Sequence, residues 1–379
     1  MDLIVGIIIG VVALTFLVVV HELGHAIWAR RNGVVVEEFG IGFPPRAWGK
    51  KLKNKVLFSV NWLPLGGFVK MQGEYDSSTK KGDYGAASFG AKTRILLAGV
   101  GINWVTAAVL LTILAVTGMP QVIPNQFTVP SDTKTVFQPI ELSSVVVADP
   151  AAKAGLKASD KIVSFAGQQV KTAQDFIGLT HKFAGKTVAV VYDRDGAERT
   201  AKVALKTGSG IVFGASLVQQ TETKSTWSAP IVGVVTTGQL TWETFKGLGQ
   251  LISNLVNGIV LQLTGSPSAK KVASADLAAA GDSVSGPIGI LGVIFPAARH
   301  AGLTQLTMLV AIISLSLAVM NVLPIPALDG GRWFTMAAFR VAHKKLTKER
   351  EEKIQATGFT VLMALVVLVT VADVGKIIK

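Results

Sequence analysis

Two rhythms of apolar and polar positions divide this chain. Four stretches, about residues 3–28, 95–117, 303–325 and 356–374, are apolar almost without a break. Each approaches the roughly 20 residues that a bilayer core requires. Between the second and third, residues 141–206 alternate short runs instead: SSVVVA and KIVSFAG predict strands, TAQDFIGLTHKFAG a helix, and KTVAVVYDRDGAERTAKVAL a hairpin turning at Asp195-Gly196. Asp149 is expected to cap the short turn PAAKAG. Farther on, Trp242, Phe245, Leu248, Leu251, Ile252 and Leu255 recur at helical spacing, which predicts a surface-lying amphipathic helix rather than a fifth span.

The expected architecture is a multi-span α-helical membrane protein of about four transmembrane helices, with a cytoplasmic-side β-hairpin and an external α+β domain. Its parts are a first span within 1–32, a loop over 33–93, a second span over 94–118, a folded insert over 138–206, an external amphipathic region over 207–302, a third span over 303–331, a loop over 332–354 and a fourth span over 355–375. In the first loop, VLFSVNWLPLGGFVKM at 56–71 reads as a hairpin broken at Pro-Leu-Gly-Gly. It is oily for a cytoplasmic loop. It either dips into the bilayer against protein or forms a small surface sheet.

Composition agrees with a membrane protein. Half of the 379 residues are hydrophobic and only 16% are charged, against about 25% in soluble domains. The net charge of +13 is no sign of nucleic acid, because its basic residues flank the apolar runs. Twelve Lys or Arg stand against five Asp or Glu from Arg30 to Arg94, and seven against three from Arg332 to Lys353. That is the pattern of cytoplasmic loops, and it implies a retained first span with an outside N-terminus. With no cysteine in the chain, disulfides are excluded and any metal must be held by nitrogen and oxygen.

Candidate chemistry sits at the end of the first apolar run, in VVVHELGHAIWARR at 18–31. His21, Glu22 and His25 form H-E-x-x-H. On a helix, positions i and i+4 share a face, so both imidazoles reach one ion while Glu22 stands beside the attacking water. Ionisable groups within a span are a functional signal, although a pair of helix histidines bonded to neighbours is the plainer reading of the motif alone. Arg30 lies nine residues past His21, about 13 Å along a helix, so the site is expected inside the membrane towards its cytoplasmic side.

Catalytic zinc takes three protein ligands and leaves one position open. The missing ligand is expected to be Asp329, in NVLPIPALDGGRW at 321–333, where Pro324 and Pro326 break the helix and Gly330-Gly331 permits a tight turn. An ordinary helix-to-loop turn is the alternative for Leu-Asp-Gly alone. Asp282 and Asp373 compete weakly, since both are expected near the outer face.

The stretches HELGHAIWARRNGVVVEEFGIGFPP, NWLPLGGFVKMQGE, SGPIGI at 285–290 and NVLPIPALDGGR, with VVVADPAAKAGLKASDKIVSFAGQQV, resemble the site-2 protease group of intramembrane zinc metalloproteases. The resemblance is to its bacterial, PDZ-containing (regulator of sigma-E protease-like) branch, and it runs through most of the chain in the family's order. It implies Zn2+ held by His21, His25 and Asp329, with Glu22 as general base. It also implies substrate contacts from Asn321 and from a hairpin, including Gly66, Gly67 and Phe68, that receives substrate as an extended strand. Where the family often has Gly-Pro-x-x-Asn, this chain has Gly99-Val100-Gly101-Ile102-Asn103. Asn103 is therefore read either as a substrate contact or as a partner of helix backbone.

The family further implies transmembrane protein substrates, a peptide or protein terminus in the PDZ groove (or a size-filtering role for that domain), a lipid bilayer, and no nucleic acid. Its use would be regulated intramembrane proteolysis of pre-trimmed anti-sigma factors or clearance of remnant signal peptides, in the bacterial inner membrane. The alternatives are a PDZ-bearing scaffold with a non-catalytic metal site and a membrane-anchored zincin that cuts soluble peptides. A structural site has no need of Glu22, and the expected depth disfavours the zincin.

Overall fold

A computed structural model describes residues 2–208, 210–264 and 285–378. The chain divides into two compact units, Met1–Ile113 with Pro230–Lys379, and Leu114–Ala229.

In the first unit, helix α1 (Asp2–Arg31) carries the first apolar run and ends on Arg30 and Arg31, where cations complement the helix C-terminus. Gly33, at φ +78°, lets the Val34 N–H reach back to the Ala29 carbonyl at 2.9 Å, which closes the helix. Strands β1 (Val36–Lys51) and β2 (Leu57–Met71) follow, and then helix α2 (Phe89–Thr117). After the insert come α5 (Ala229–Thr264) and α6, a helical stretch in three parts: Pro287–Gly289, a π-helical turn Ile290–Ile294, and Phe295–His300. Helices α7 (Leu303–Val322), α8 (Asp329–Val341) and α9 (Lys348–Ile378) complete the unit. Among the described residues, four helical stretches are long and apolar enough to cross a membrane: Leu3–Arg31, Phe89–Thr117, Leu303–Val322 and Lys348–Gly375.

The break at Pro-Leu-Gly-Gly is real, but it is not a hairpin turn. The two halves of β2 do not pair with each other; both pair with residues 38–41 of β1. Glu38 has partners in Lys70 and Leu57, Gly40 in Phe68 and Ser59, and Ile41 in Gly67 and Val60. Tight chain reversal lies instead at Leu52–Val56. Beside this sheet, Ala29, Val34, Val36, Met71, Tyr84, Ile95, Met336 and Leu346 form a buried cluster joining α1, α2, α8 and the strands.

The third apolar run also ends early. α7 stops at Val322, ahead of Pro324, and Asp329 opens the separate helix α8. Asp373, on α9, accepts the Gly289 N–H at 2.8 Å and so anchors α6. Asp282 lies outside the described residues.

The second unit contains the insert. Its main sheet runs in the order β10 (Ala215–Val218), β5 (Ile140–Val145), β6 (Lys161–Phe165), β8 (Thr187–Arg194), β9 (Ala197–Ala204), with β7 (Gln168–Gln169) paired to β6. Helices α3 (Pro150–Lys153) and α4 (Ala173–Lys182) pack with it around Ile140, Phe165, Phe176, Val190 and Phe213. Asp149 stands at the N-cap of α3 without a side-chain capping bond and pairs with Lys206 at 2.5 Å. The β8–β9 turn has Asp195 and Gly196 both at positive φ, as a two-residue hairpin needs. The sheet extends past residue 206, because β10 pairs with β5. A second sheet, β3 (Met119–Pro120), β11 (Thr221–Lys224) and β4 (Lys134–Phe137), gathers the Pro-rich linker with the segment that follows β10.

Candidate metal centre

His21 and His25 are one helical turn apart on α1, and both are buried. Their Nε2 atoms approach to 3.1 Å. Asp329 brings its Oδ2 to 3.0 Å from His21 Nε2 and 3.2 Å from His25 Nε2. These are two nitrogens and one oxygen converging from two helices. Among the described residues they form the one group of three such donors close enough to share an ion. The donor set suits a borderline-soft divalent cation such as zinc, with room left for a fourth ligand.

Glycines make the convergence possible. A Cβ on Gly99 of α2 would lie 2.5 Å from His21 Cε1 and 2.6 Å from His25 Nε2, so only glycine leaves space for both rings. Asp329 is placed by the turn before it. A Cβ on Gly330 or Gly331 would strike the carbonyl oxygens of Val322 or Ile325, so the Leu-Asp-Gly-Gly sequence lets α8 start directly against the end of α7.

The rings are held from behind. His25 Nδ1 lies 2.8 Å from the Ile95 carbonyl oxygen. A carbonyl only accepts, so Nδ1 carries the hydrogen and Nε2 keeps its lone pair, the form a metal ligand requires. His21 Nδ1 faces the side chain of Asn103 at 3.3 Å. Asn103 is fully buried, and its own backbone carbonyl accepts a hydrogen bond from Ser314 of α7 at 2.9 Å.

A cavity of about 270 Å³ opens on this cluster, lined by His21, Glu22, Asp329, Gly67, Asn103 and Asn321 among others. Glu22 is half-buried there, and the Val69 N–H of β2 is hydrogen-bonded to it. The structure thus brings His21, His25, Glu22 and Asp329 together and adds Gly67, Asn103 and Asn321 to the lining of the same cavity. It does not do so for Gly66 and Phe68. Gly66, at φ +80°, packs against the Phe43 ring, and the Phe68 ring covers Gly40.

One functional support went unread in the sequence. Arg332, three residues beyond Asp329, reaches Glu351 of α9 at 3.1 Å, lies 4.7 Å over the Tyr84 ring and donates to the Glu74 carbonyl. It ties the Asp329 helix to α9 and to the chain leaving β2. A lone arginine in a basic loop carries no signal of such a role. The Ile95 carbonyl is equally invisible, since backbone groups have no sequence signature.

The chain is similar to known proteins in three respects. The description "Peptidase family M50" matches residues 9–365. A Clostridium perfringens relative, whose name refers to a zinc metalloprotease, is 31% identical over 376 residues, covering 97% of this chain and 98% of its own. Zinc metalloprotease RasP of Geobacillus kaustophilus is 27% identical over 452 residues, covering 98% of each chain. A crystal structure of a PDZ domain from Listeria monocytogenes is similar at 28% identity over 21% of this chain and 87% of that one, with a TM-score of 0.20.

Proposed function

The chain belongs to peptidase family M50 and is a zinc metalloprotease; from that premise we propose that it cleaves peptide bonds within the membrane-spanning segments of single-span proteins. The observation that carries this reading is one cavity that gathers His21 and Glu22, on a helix apolar enough to span, with Asp329 of α8 and Gly67 of β2. His21, His25 and Asp329 would hold the ion. Zinc, when bound, polarises the scissile carbonyl and lowers the pKa of the attacking water.

The rest belongs to the chain's own residues. Glu22 takes a proton from that water and passes it to the leaving amine. The substrate must first lose its helix, because helical carbonyls are turned inward and bonded. Pairing with the backbone at Gly67–Val69 would hold an unwound segment extended beside Glu22. Asn321, which lines the same cavity, would bond the substrate backbone. The remaining parts of the reading rest on the resemblance: an inner-membrane location with the metal towards the cytoplasm, an external PDZ-like insert that receives a freed terminus or filters bulky ectodomains, and substrates such as pre-trimmed anti-sigma factors or remnant signal peptides in regulated proteolysis.

The test is to reconstitute the purified protein in liposomes with a tagged single-span substrate and map the cut by mass spectrometry. A cut inside the apolar segment supports the proposal. Cleavage confined to soluble peptides or to the substrate's flanks overturns it and favours a membrane-anchored zincin. Bound metal without any cleavage favours the scaffold.

A further inference from the structure

We propose that Asn103 is the positioning residue for His21, its side-chain amide fixing the ring so that Nε2 faces the metal; this rests on the zinc-protease reading above. Imidazole offers a lone pair at one nitrogen only when the other carries the hydrogen. For His25 that hydrogen is accounted for by the Ile95 carbonyl at 2.8 Å. For His21 the corresponding partner is the Asn103 side chain, 3.3 Å from Nδ1 and fully buried.

The amide has two ends, and each suits one state of the site. With its NH2 end towards Nδ1, as placed here, the amide donates and His21 carries its hydrogen on Nε2, which then donates to Asp329 Oδ2 at 3.0 Å. That arrangement is self-consistent without an ion, and it leaves Asn103 Oδ1 buried with no hydrogen-bond partner among the described residues. A half-turn of the amide, whose two ends fill the same space, sets Oδ1 against Nδ1. Nδ1 then donates to Oδ1, the NH2 end takes the buried place that the oxygen left, and Nε2 presents its lone pair beside those of His25 and Asp329.

The backbone around Asn103 makes the amide a fixed tool. Ser314 Oγ donates to the Asn103 carbonyl and ties α2 to α7 at this level. Gly99, one turn earlier, leaves the rings their space. Asparagine is the residue that can both donate and accept here; leucine fills a similar volume and does neither, whereas aspartate retains an acceptor.

The experiment measures zinc affinity in detergent, by competition with a chromophoric chelator, for wild type, Asn103→Leu and Asn103→Asp. The metal-free thermal transition of each is recorded alongside. We expect Asn103→Leu to lose about 10- to 100-fold in zinc affinity, the usual effect of removing a ligand's outer partner. Asn103→Asp should retain affinity within about threefold of wild type, on the same principle that the acceptor is what matters, and both variants should fold. If both variants match wild type, or both lose zinc equally, Asn103 does not act through an acceptor on His21 and the inference is overturned. If wild type itself binds no zinc, it is the protease reading that fails, and the two failures are told apart.

Discussion

Gly67 of β2 stands against Glu22 of α1: a Cβ added to the glycine would lie 3.7 Å from Glu22 Cγ and 3.0 Å from the Gly40 carbonyl oxygen. The strand therefore runs within one side chain's reach of Glu22, and the Gly40 carbonyl is what crowds any residue larger than glycine. Gly67→Ala should reduce cleavage modestly and Gly67→Leu by about 100-fold, since misplacement of about 1 Å costs that much. Zinc content should be unchanged in both. Equal rates for glycine and leucine would show that substrate does not pass along this strand.

Gly99 is the metal's counterpart to Gly67. An alanine there would press on both imidazoles at 2.5–2.6 Å. Gly99→Ala should bind zinc at least about 10-fold more weakly, because ligand geometry is displaced, while Gly101→Ala, where an added Cβ meets nothing within 4 Å, should bind as wild type. Chelator competition on the pair separates the local clash from a general loss of helix packing.

How much of this was legible follows from the physics of each signal. H-E-x-x-H could be read because its i, i+4 spacing is itself the geometry, and Asp329 because an acid beside a helix-breaking Leu-Pro-Ile-Pro is rare near an apolar run. The strand pairing could not. Alternation locates strands, but nothing in it says that residues 38–41 take partners on both sides, and so the break at Pro-Leu-Gly-Gly looked like a turn. Strand β10 was missed because four residues after a Gly-rich stretch carry too little pattern, and only pairing with β5 defines them. Asn103 was visible as a buried polar residue, yet its partner is a side chain 82 positions away.

Arg332 sustains the position of Asp329 from the far side. Glu351, which it meets at 3.1 Å, is buried. Arg332→Met should destabilise the first unit by about 3 kcal/mol, the cost of leaving a buried charge unpaired, and should lower zinc content. Adding Glu351→Gln should recover part of the stability, because the orphaned charge is then gone. Denaturation in detergent with parallel metal analysis reads both effects; equal stability of the single and double variants would contradict the role.

Acid sensitivity in the second unit should trace to Asp160. Burial pushes its carboxyl up, but two hydrogen bonds from Arg194, at 2.6 and 2.7 Å, and the Lys157 N–H outweigh this and hold it below the usual carboxylate range. A depressed carboxyl contributes stability above its unfolded value, about 3.9, and that contribution is lost as the pH falls below it towards the folded value. Asp160→Asn should therefore cost about 1.5–3 kcal/mol at pH 7, the range for charged hydrogen bonds, and flatten the decline that sets in as the pH falls below the ordinary carboxylate value. Thermal transitions of the two proteins across this range should converge at the acid end; parallel curves would assign the acid loss elsewhere.

The most direct test of the account is to count zinc and follow cleavage of one single-span substrate by wild type, Glu22→Gln and Asp329→Asn in the same preparation. We expect about one zinc per chain in wild type and in Glu22→Gln, with cleavage by the latter reduced at least about 100-fold, as for loss of a general base. Asp329→Asn should hold little zinc and cut nothing. Cleavage by Glu22→Gln at the wild-type rate, or full zinc in Asp329→Asn, would contradict it.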